Sequence, residues 1–326
     1  MAIPRGRSKE SFDRFLKLFY RHKDLAFRMT NWPLFRQLGG ALIDYRNTNL
    51  TYVPIYKDLE LPAGAAAPLA VIEHFIREAD HHVILHRCPC RSENGCRDFD
   101  PYFGCTFLGP AARGVDPGVG RHVSMEEALD HLHRASEMGL VSCVGKFKGD
   151  AVMLGVRDHH RLMTICHCCP CCCISTGIPL ASREARDLLV RMEGLAVEVD
   201  EEKCRGCGKC VQACIFRQVS LEERVPASDP RAAAGPAASA PLTEGAAVAR
   251  GTGPVAQGTG EAGEVPTGAF EASAKRAPRV AVIGEECKGC GRCATACPEK
   301  AISIRVTDPS YMERCIRRIA STVDLR

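Results

Sequence analysis

An α+β fold in two cysteine-bearing parts is predicted by three features of this 326-residue chain. A strand–loop–helix–strand unit occurs twice, at 196–222 and 280–306, with the same cysteine run in each copy. Upstream, 66–194 alternates helical and β-rich signals and holds two further groups of cysteines. Between the copies, 226–278 is dominated by Ala, Gly, Pro, Thr and Ser, with Phe270 as its one aromatic residue. Such a stretch has too little apolar surface to offset the entropy of ordering, so it reads as a disordered insertion. The expected organisation is a basic helical segment at 1–65, a cysteine-rich α+β domain at 66–194, a split domain at 195–225 and 279–306 with the insertion between, and a C-terminal helix at 307–326.

The first segment carries Phe12, Phe15, Leu16 and Phe19 at helical spacing, among Arg14, Lys17, Arg21 and Lys23. Its basic face allows peripheral docking on an acidic partner or a membrane surface. Packing on its own domain is the favoured reading, because apolar stripes of this kind are usually core. Leu69, Ile72, Phe75, Ile76 and Ala79 predict a helix, and His82 to His86 a strand. Ser124-Met-Glu-Glu127 is a capping box opening a helix with Ala128, Leu129, Leu132 and Ala135 on one face, closed by Gly139. Leu140–Val144 and Ala151–Val156 read as two strands around a turn at Gly145–Gly149. At the end, Asp308 is placed to cap a helix with Pro309 in its first turn and Met312, Ile316, Ile319 and Val323 as its apolar stripe.

The repeated runs are Cys204-x-x-Cys207-x-x-Cys210-x-x-x-Cys214 and Cys287-x-x-Cys290-x-x-Cys293-x-x-x-Cys297, the second followed by Pro298. Three thiolates on one tight loop can hold three corners of a cubane iron–sulfur cluster, while the fourth, beginning the next helix, points towards a second cluster. Zinc knuckles come as CxxC pairs rather than as a triple run closed by a three-residue gap. More than cysteine repeats: Gly206 matches Gly289, Gly208 matches Gly291, and Ala213 matches Ala296.

These runs resemble those of bacterial-type ferredoxins with two 4Fe–4S clusters. The resemblance implies a ferredoxin-like fold, a pseudo-twofold βαβ repeat. It also implies that Cys204, Cys207, Cys210 and Cys297 hold one cluster, and Cys287, Cys290, Cys293 and Cys214 the other. One departure is Ile215, where the family usually has proline after the fourth cysteine; it removes no ligand.

Two more groups of thiols lie upstream: Cys88, Cys90, Cys96 and Cys105, then Cys166, Cys168, Cys169, Cys171, Cys172 and Cys173. Six cysteines in eight residues point to metal, since adjacent cysteines seldom pair in a disulfide. Soft thiolates suit a further iron–sulfur cluster, zinc or Cu(I), and a dithiol redox site is the remaining alternative. The ferredoxin-type runs elsewhere in the chain favour iron–sulfur. Cys88, Cys90, Cys96 and Cys105 are enough for one four-thiolate site, and the later run either serves a second or shares ligands with it. His167 is expected as a hydrogen-bonding neighbour, and the isolated Cys143 and Cys315 as packing residues. The order of CxC segment, Gly139-Leu140-Val141, CxCCxCCC segment and ferredoxin module, over roughly 70–306, is similar to a group of iron–sulfur proteins in anaerobic bacteria, a resemblance that brings no known reaction with it.

Twenty cysteines without an apolar leader at Met1–Glu10 point to a reducing, cytoplasmic setting in which thiols are metal ligands. No apolar run is long enough for a membrane span. The expected function is electron relay to partner redox proteins, with two 4Fe–4S clusters and a further centre. One alternative is an oxidoreductase whose catalytic centre is the upstream thiol site. Another is an iron–sulfur redox sensor, drawn from a loosely winged-helix-like order over 66–156, although no recognition helix rich in Arg and Lys accompanies it. Nucleic-acid binding is therefore not expected. Cations near the runs, among them Lys203, Arg205, Lys288 and Arg292, either favour reduced clusters or are ordinary surface charge.

Overall fold

Strands whose central members are buried on both faces build a seven-stranded sheet with helices on both sides in this computed structural model, which describes residues 6–33, 44, 46–54, 67–224 and 279–326. The insertion expected at 226–278 lies outside the described residues. In chain order the elements are α1 (Lys9–Met29), β1 (Thr48–Tyr52), α2 (Ala70–Glu78), β2 (His82–Leu85), α3 (Pro89–Glu93), β3 (Thr106–Leu108), β4 (Gly120–Val123), α4 (Met125–Glu137), β5 (Val141–Phe147), α5 (Lys148–Leu154) and β6 (Met163–Cys168). There follow α6 (Arg183–Asp187), β7 (Leu189–Arg191), β8 (Leu195–Val199), α7 (Lys209–Ala213), β9 (Val219–Glu223), β10 (Arg279–Ile283), α8 (Arg292–Thr295), β11 (Ile302–Val306) and α9 (Tyr311–Ala320). The large sheet has the order β4-β2-β3-β6-β5-β1-β7, antiparallel except where β1 meets β7.

One face of that sheet presents Val144, Met163 and Ile165 to Ile72, Phe75 and Ile76 of α2 and Leu132 of α4. The other presents Val83, Leu85 and Phe107 to Phe12 and Leu16 of α1 and to Ala151 and Leu154 of α5. The stripe of α1 is thus partly core, although Leu18 stays 65% exposed. The start of α4 forms the expected capping box: the Ser124 hydroxyl accepts from Glu127 N–H at 3.1 Å, and the Glu127 carboxylate accepts from Ser124 N–H at 3.0 Å.

Four local expectations are corrected. Residues 48–52, inside the segment read as helical, form β1, which pairs with β5 and β7. Residues 151–154, read as a strand, belong to α5, and β5 pairs with β6 instead. Gly145 is therefore no turn residue. It lies within β5 at φ 148, where a Cβ would fall 1.9 Å from the Asn49 carbonyl oxygen of β1, so only glycine allows the strands to approach. The hairpin that made 66–156 look winged-helix-like is absent from the described residues. Finally, α9 begins at Tyr311 rather than Pro309; the Asp308 carboxylate accepts from Ser310 N–H and Oγ–H, both at 2.8 Å, and holds the turn before the helix. Its fully buried stripe is Tyr311, Cys315 and Ile319; Met312 and Ile316 flank it.

The C-terminal units exchange strands. The first strand of the first copy, β8, pairs antiparallel with the last of the second, β11, and β9 pairs with β10. Val197, Val219, Ala281 and Ile304 join the core that contains α2, α4 and α9.

Candidate metal centres

The two cysteine loops adopt matching backbones. Gly206 and Gly289 both sit at φ 65, and a Cβ on Gly206 would fall 2.5 Å from the Arg279 carbonyl oxygen. Gly208 and Gly291 start the short helices at φ 76 and 85, and past the helices Arg217 and Lys300 share the left-handed region at φ 55 and 49. The fourth cysteine of each run follows its helix instead of beginning the next, as the spacing had been read: Cys214 is the C-cap of α7, and Cys297 comes just after α8. Both then accept a backbone hydrogen bond from the residue four positions on, Cys214 from Gln218 N–H at 3.2 Å and Cys297 from Ala301 N–H at 3.3 Å.

Cys214 of the first run lines one cavity together with Cys287, Cys290 and Cys293 of the second. Burial pushes the Cys290 thiol up to about 11 and also raises Cys287 and Cys293, so bare thiolates are disfavoured there and a bound cation would be needed to hold them ionised. Lys288 and Arg292 line the same cavity and are only 7% and 6% exposed. The surface-charge reading is thereby corrected for this loop, whereas Lys203 and Arg205 of the first loop are exposed and ion-paired with Asp200 and Glu299. Arg292 Nε is buried with no hydrogen-bond partner. Four thiols, two buried cations and an unpaired donor fit an anionic, sulfide-bearing cluster. In the first run, Cys204 and Cys207 lie close enough to add to the burial that raises Cys210, and Cys204 Sγ accepts from Ala281 N–H of the opposite copy at 3.4 Å.

The upstream thiols divide differently from the sequence grouping. Cys96 does not join Cys88, Cys90 and Cys105; its sulfur lies with those of Cys169, Cys171 and Cys172, all within 4.8 Å of one another. Two turns build this set: Asn94 Nδ2 donates to the Cys172 carbonyl at 2.9 Å, and Cys172 N–H to Cys169 Sγ at 3.3 Å. Four thiolates about 2.3 Å from one tetrahedral ion stand about 3.8 Å apart, so this compact set fits a single soft cation. Cys171 is exposed, which opens the site to solvent.

The remaining upstream thiols form a closed chain of contacts on the α1 face of the sheet. Cys88 touches Cys90 and Cys105, and Cys105 touches Cys166. From Cys166 the contacts run to Cys143, then Cys168, then Cys173, and Cys173 returns to Cys90. Sheet register explains the arrangement: Cys143 lies directly across from Cys166, and Val141 across from Cys168, so period two puts all of these on one face. Cys143 was expected as a packing residue; it is 2% exposed but touches two other thiols, whose hydrogen bonds hold it down to about 5. Its strand was legible, but the partner strand had been placed at 151–156, which hid its neighbour. Cys315, by contrast, does pack in the core of α9. His167 points to the other face, with Nδ1 3.0 Å from Ser142 Oγ.

Arg91 stands between the two thiol groups. Its side chain is 1% exposed, donates from Nε to Asp100 O at 2.9 Å and from Nη1 to His167 O at 2.8 Å, and reaches Phe103 O with Nη2. The upstream site and the second ferredoxin-type loop are also in contact. Arg292 donates to the Cys168 carbonyl at 2.5 Å, Arg186 grips Glu286 at 2.7 and 3.0 Å, and Cys214 and Cys290 pack into the apolar cluster that holds Cys143, Cys168 and Cys173. No described helix is long and apolar enough to cross a membrane.

No curated protein and no solved structure matches the chain. Residues 203–301, which contain both cysteine runs and the four thiols of the cavity, match the family described as the 4Fe-4S dicluster domain, and the chain therefore carries such a domain over that stretch.

Proposed function

We propose that the chain is an iron–sulfur electron-transfer protein whose dicluster domain is a pseudo-twofold repeat holding two 4Fe–4S clusters and relaying low-potential electrons, by way of the upstream metal site, to a partner oxidoreductase. The carrying observation is the crossing of ligands: Cys214 from the first run sits with Cys287, Cys290 and Cys293 from the second. By the same repeat, Cys204, Cys207, Cys210 and Cys297 are assigned to the other cluster. Clusters of this class exchange single electrons at potentials set by charge, burial and hydrogen bonds to sulfur.

The chain's own residues supply those settings. Backbone N–H groups of Gly289 and Gln218 donate to Cys287 and Cys214 at 3.4 and 3.2 Å. Lys288 and Arg292 are buried cations at the second loop, and their charge favours the more negative, reduced state there. The two centres are therefore expected to differ in potential, with the one at Cys287–Cys293 the higher. Anaerobic redox titration followed by electron paramagnetic resonance tests this. Two reducible cubane signals are expected in the intact protein, and Cys214→Ser should perturb the higher-potential one alone. Protein with no reducible centre after reconstitution would refute the reading.

A further inference from the structure

We propose that the closed chain of thiols running through Cys143 holds one polynuclear iron–sulfur centre, separate from the four-thiol site at Cys96, and that this centre is the electron neighbour of the second ferredoxin-type cluster. The inference rests on the functional reading above and adds a ligand, Cys143, and a partition of the upstream thiols into two unlike sites.

The first argument is number. A single tetrahedral ion takes four thiolates. The closed chain brings more than four together, from the start of α3, the edge of β3, two adjacent strands and the turn after β6. Each touches two others, which is the pattern of ligands spread over several metal atoms. Neutral packing thiols have no reason to converge in this way, and Cys315 shows the contrast: equally buried, its sulfur meets Arg318 at 3.9 Å.

The second argument is the surroundings. Sulfur in the chain receives donors from three further places. Tyr20 O–H of α1 reaches Cys90 Sγ at 3.0 Å, Ile174 N–H reaches the same sulfur at 3.4 Å, and Ser175 N–H reaches Cys173 Sγ at 3.4 Å. Such donors stabilise thiolate ligands and tune the metal they hold. The apolar stripe of α1 thus does more than fill the core, since it seats Tyr20 over the site.

The third argument is position. The closed chain shares one apolar cluster with Cys214 and Cys290, and Arg292 of the second ferredoxin-type loop donates to the Cys168 carbonyl. Zinc has no redox chemistry and would end an electron path at this contact; an iron–sulfur centre continues it.

The test is metal and acid-labile sulfide analysis with electron paramagnetic resonance on the full chain, purified anaerobically. More than about eight irons and eight sulfides are expected, the excess belonging to the proposed centre. Cys143→Ser should lose that excess and its signal while both cubane signals persist. Cys315→Ser should change nothing, and Cys171→Ser should remove at most one metal ion and no sulfide. Wild-type iron and sulfide retained in Cys143→Ser would overturn the proposal, as would intact protein with eight of each and zinc as the remaining metal. Should Cys143→Ser also lose the cubane signals, Tyr20→Phe decides, because it removes one hydroxyl bonded to Cys90. A shift confined to the extra signal supports the proposal, and no shift in it overturns it. Failure of the underlying reading looks different, because the cubane signals would then be missing from the wild type itself.

Discussion

Replacing Arg91 by lysine tests whether this buried cation, lodged between two thiol groups, organises the upstream site. The guanidinium satisfies three backbone carbonyls, those of Asp100, Phe103 and His167, at 1% exposure. Lysine keeps the charge but carries its N–H donors on one nitrogen, which cannot span three carbonyls that face the separate nitrogens of a planar fork. The Asp100 carbonyl keeps the bond it accepts from Phe103 N–H at 3.4 Å, and a buried carbonyl left without a donor costs about 1–3 kcal/mol, so Arg91→Lys should lose up to about 3 kcal/mol. Arg91→Met also removes the charge next to Cys88, Cys105 and Cys169, and should cost at least as much. The assay is anaerobic thermal unfolding of wild type and variants matched for metal content. A loss of about 3 kcal/mol corresponds to a drop on the order of 6 °C for a chain of this size. Cys96 follows the turn that Arg91 closes through its own carbonyl, so the compact four-thiol site should bind its metal more weakly too. An Arg91→Lys protein with the wild-type midpoint and wild-type metal content would refute the argument.

Two further outcomes follow from local chemistry. Burial raises Asp150 to about 7, with Thr164 Oγ1 donating to its carboxyl at 2.7 Å. The folded state keeps this proton up to about pH 7 while the unfolded chain releases it near pH 4, so between those values the folded state binds more protons and stability falls as pH rises. The decline amounts to at most about 4 kcal/mol and ends above pH 7; Asp150→Asn should remove it, and denaturation midpoints that shift equally between pH 5 and pH 8 in both proteins would contradict the assignment. Ser124→Ala deletes one half of the capping box on α4 and should cost about 1 kcal/mol in the same unfolding assay, with metal content unchanged; an unchanged midpoint would show that α4 is held by packing alone.

Local spacing carried much of this protein on the page of its sequence. The triple-cysteine runs were legible because a cluster loop takes three ligands from one short turn, and the glycines at 206, 208, 289 and 291 had to recur wherever that turn did. The capping box at Ser124–Glu127 and the stripe of α2 were legible for the same reason, since each is set within a few residues. Strand partners were not. A run such as Leu140–Val144 announces a strand but not its neighbour, and mistaking Ala151–Val156 for that neighbour left Cys143 alone. The division of the upstream thiols was hidden likewise: Cys96 stands eight residues from Cys88 in the chain, but the turn after α3 carries it to Cys171. Sequence by itself determined which cysteines fall at metal-binding spacing and that the same run occurs twice, because those are properties of residue type and short-range spacing. Tertiary structure decided which thiols share a site, because antiparallel register and the packing of α1, α3 and α5 on one sheet face bring together sulfurs far apart in the chain.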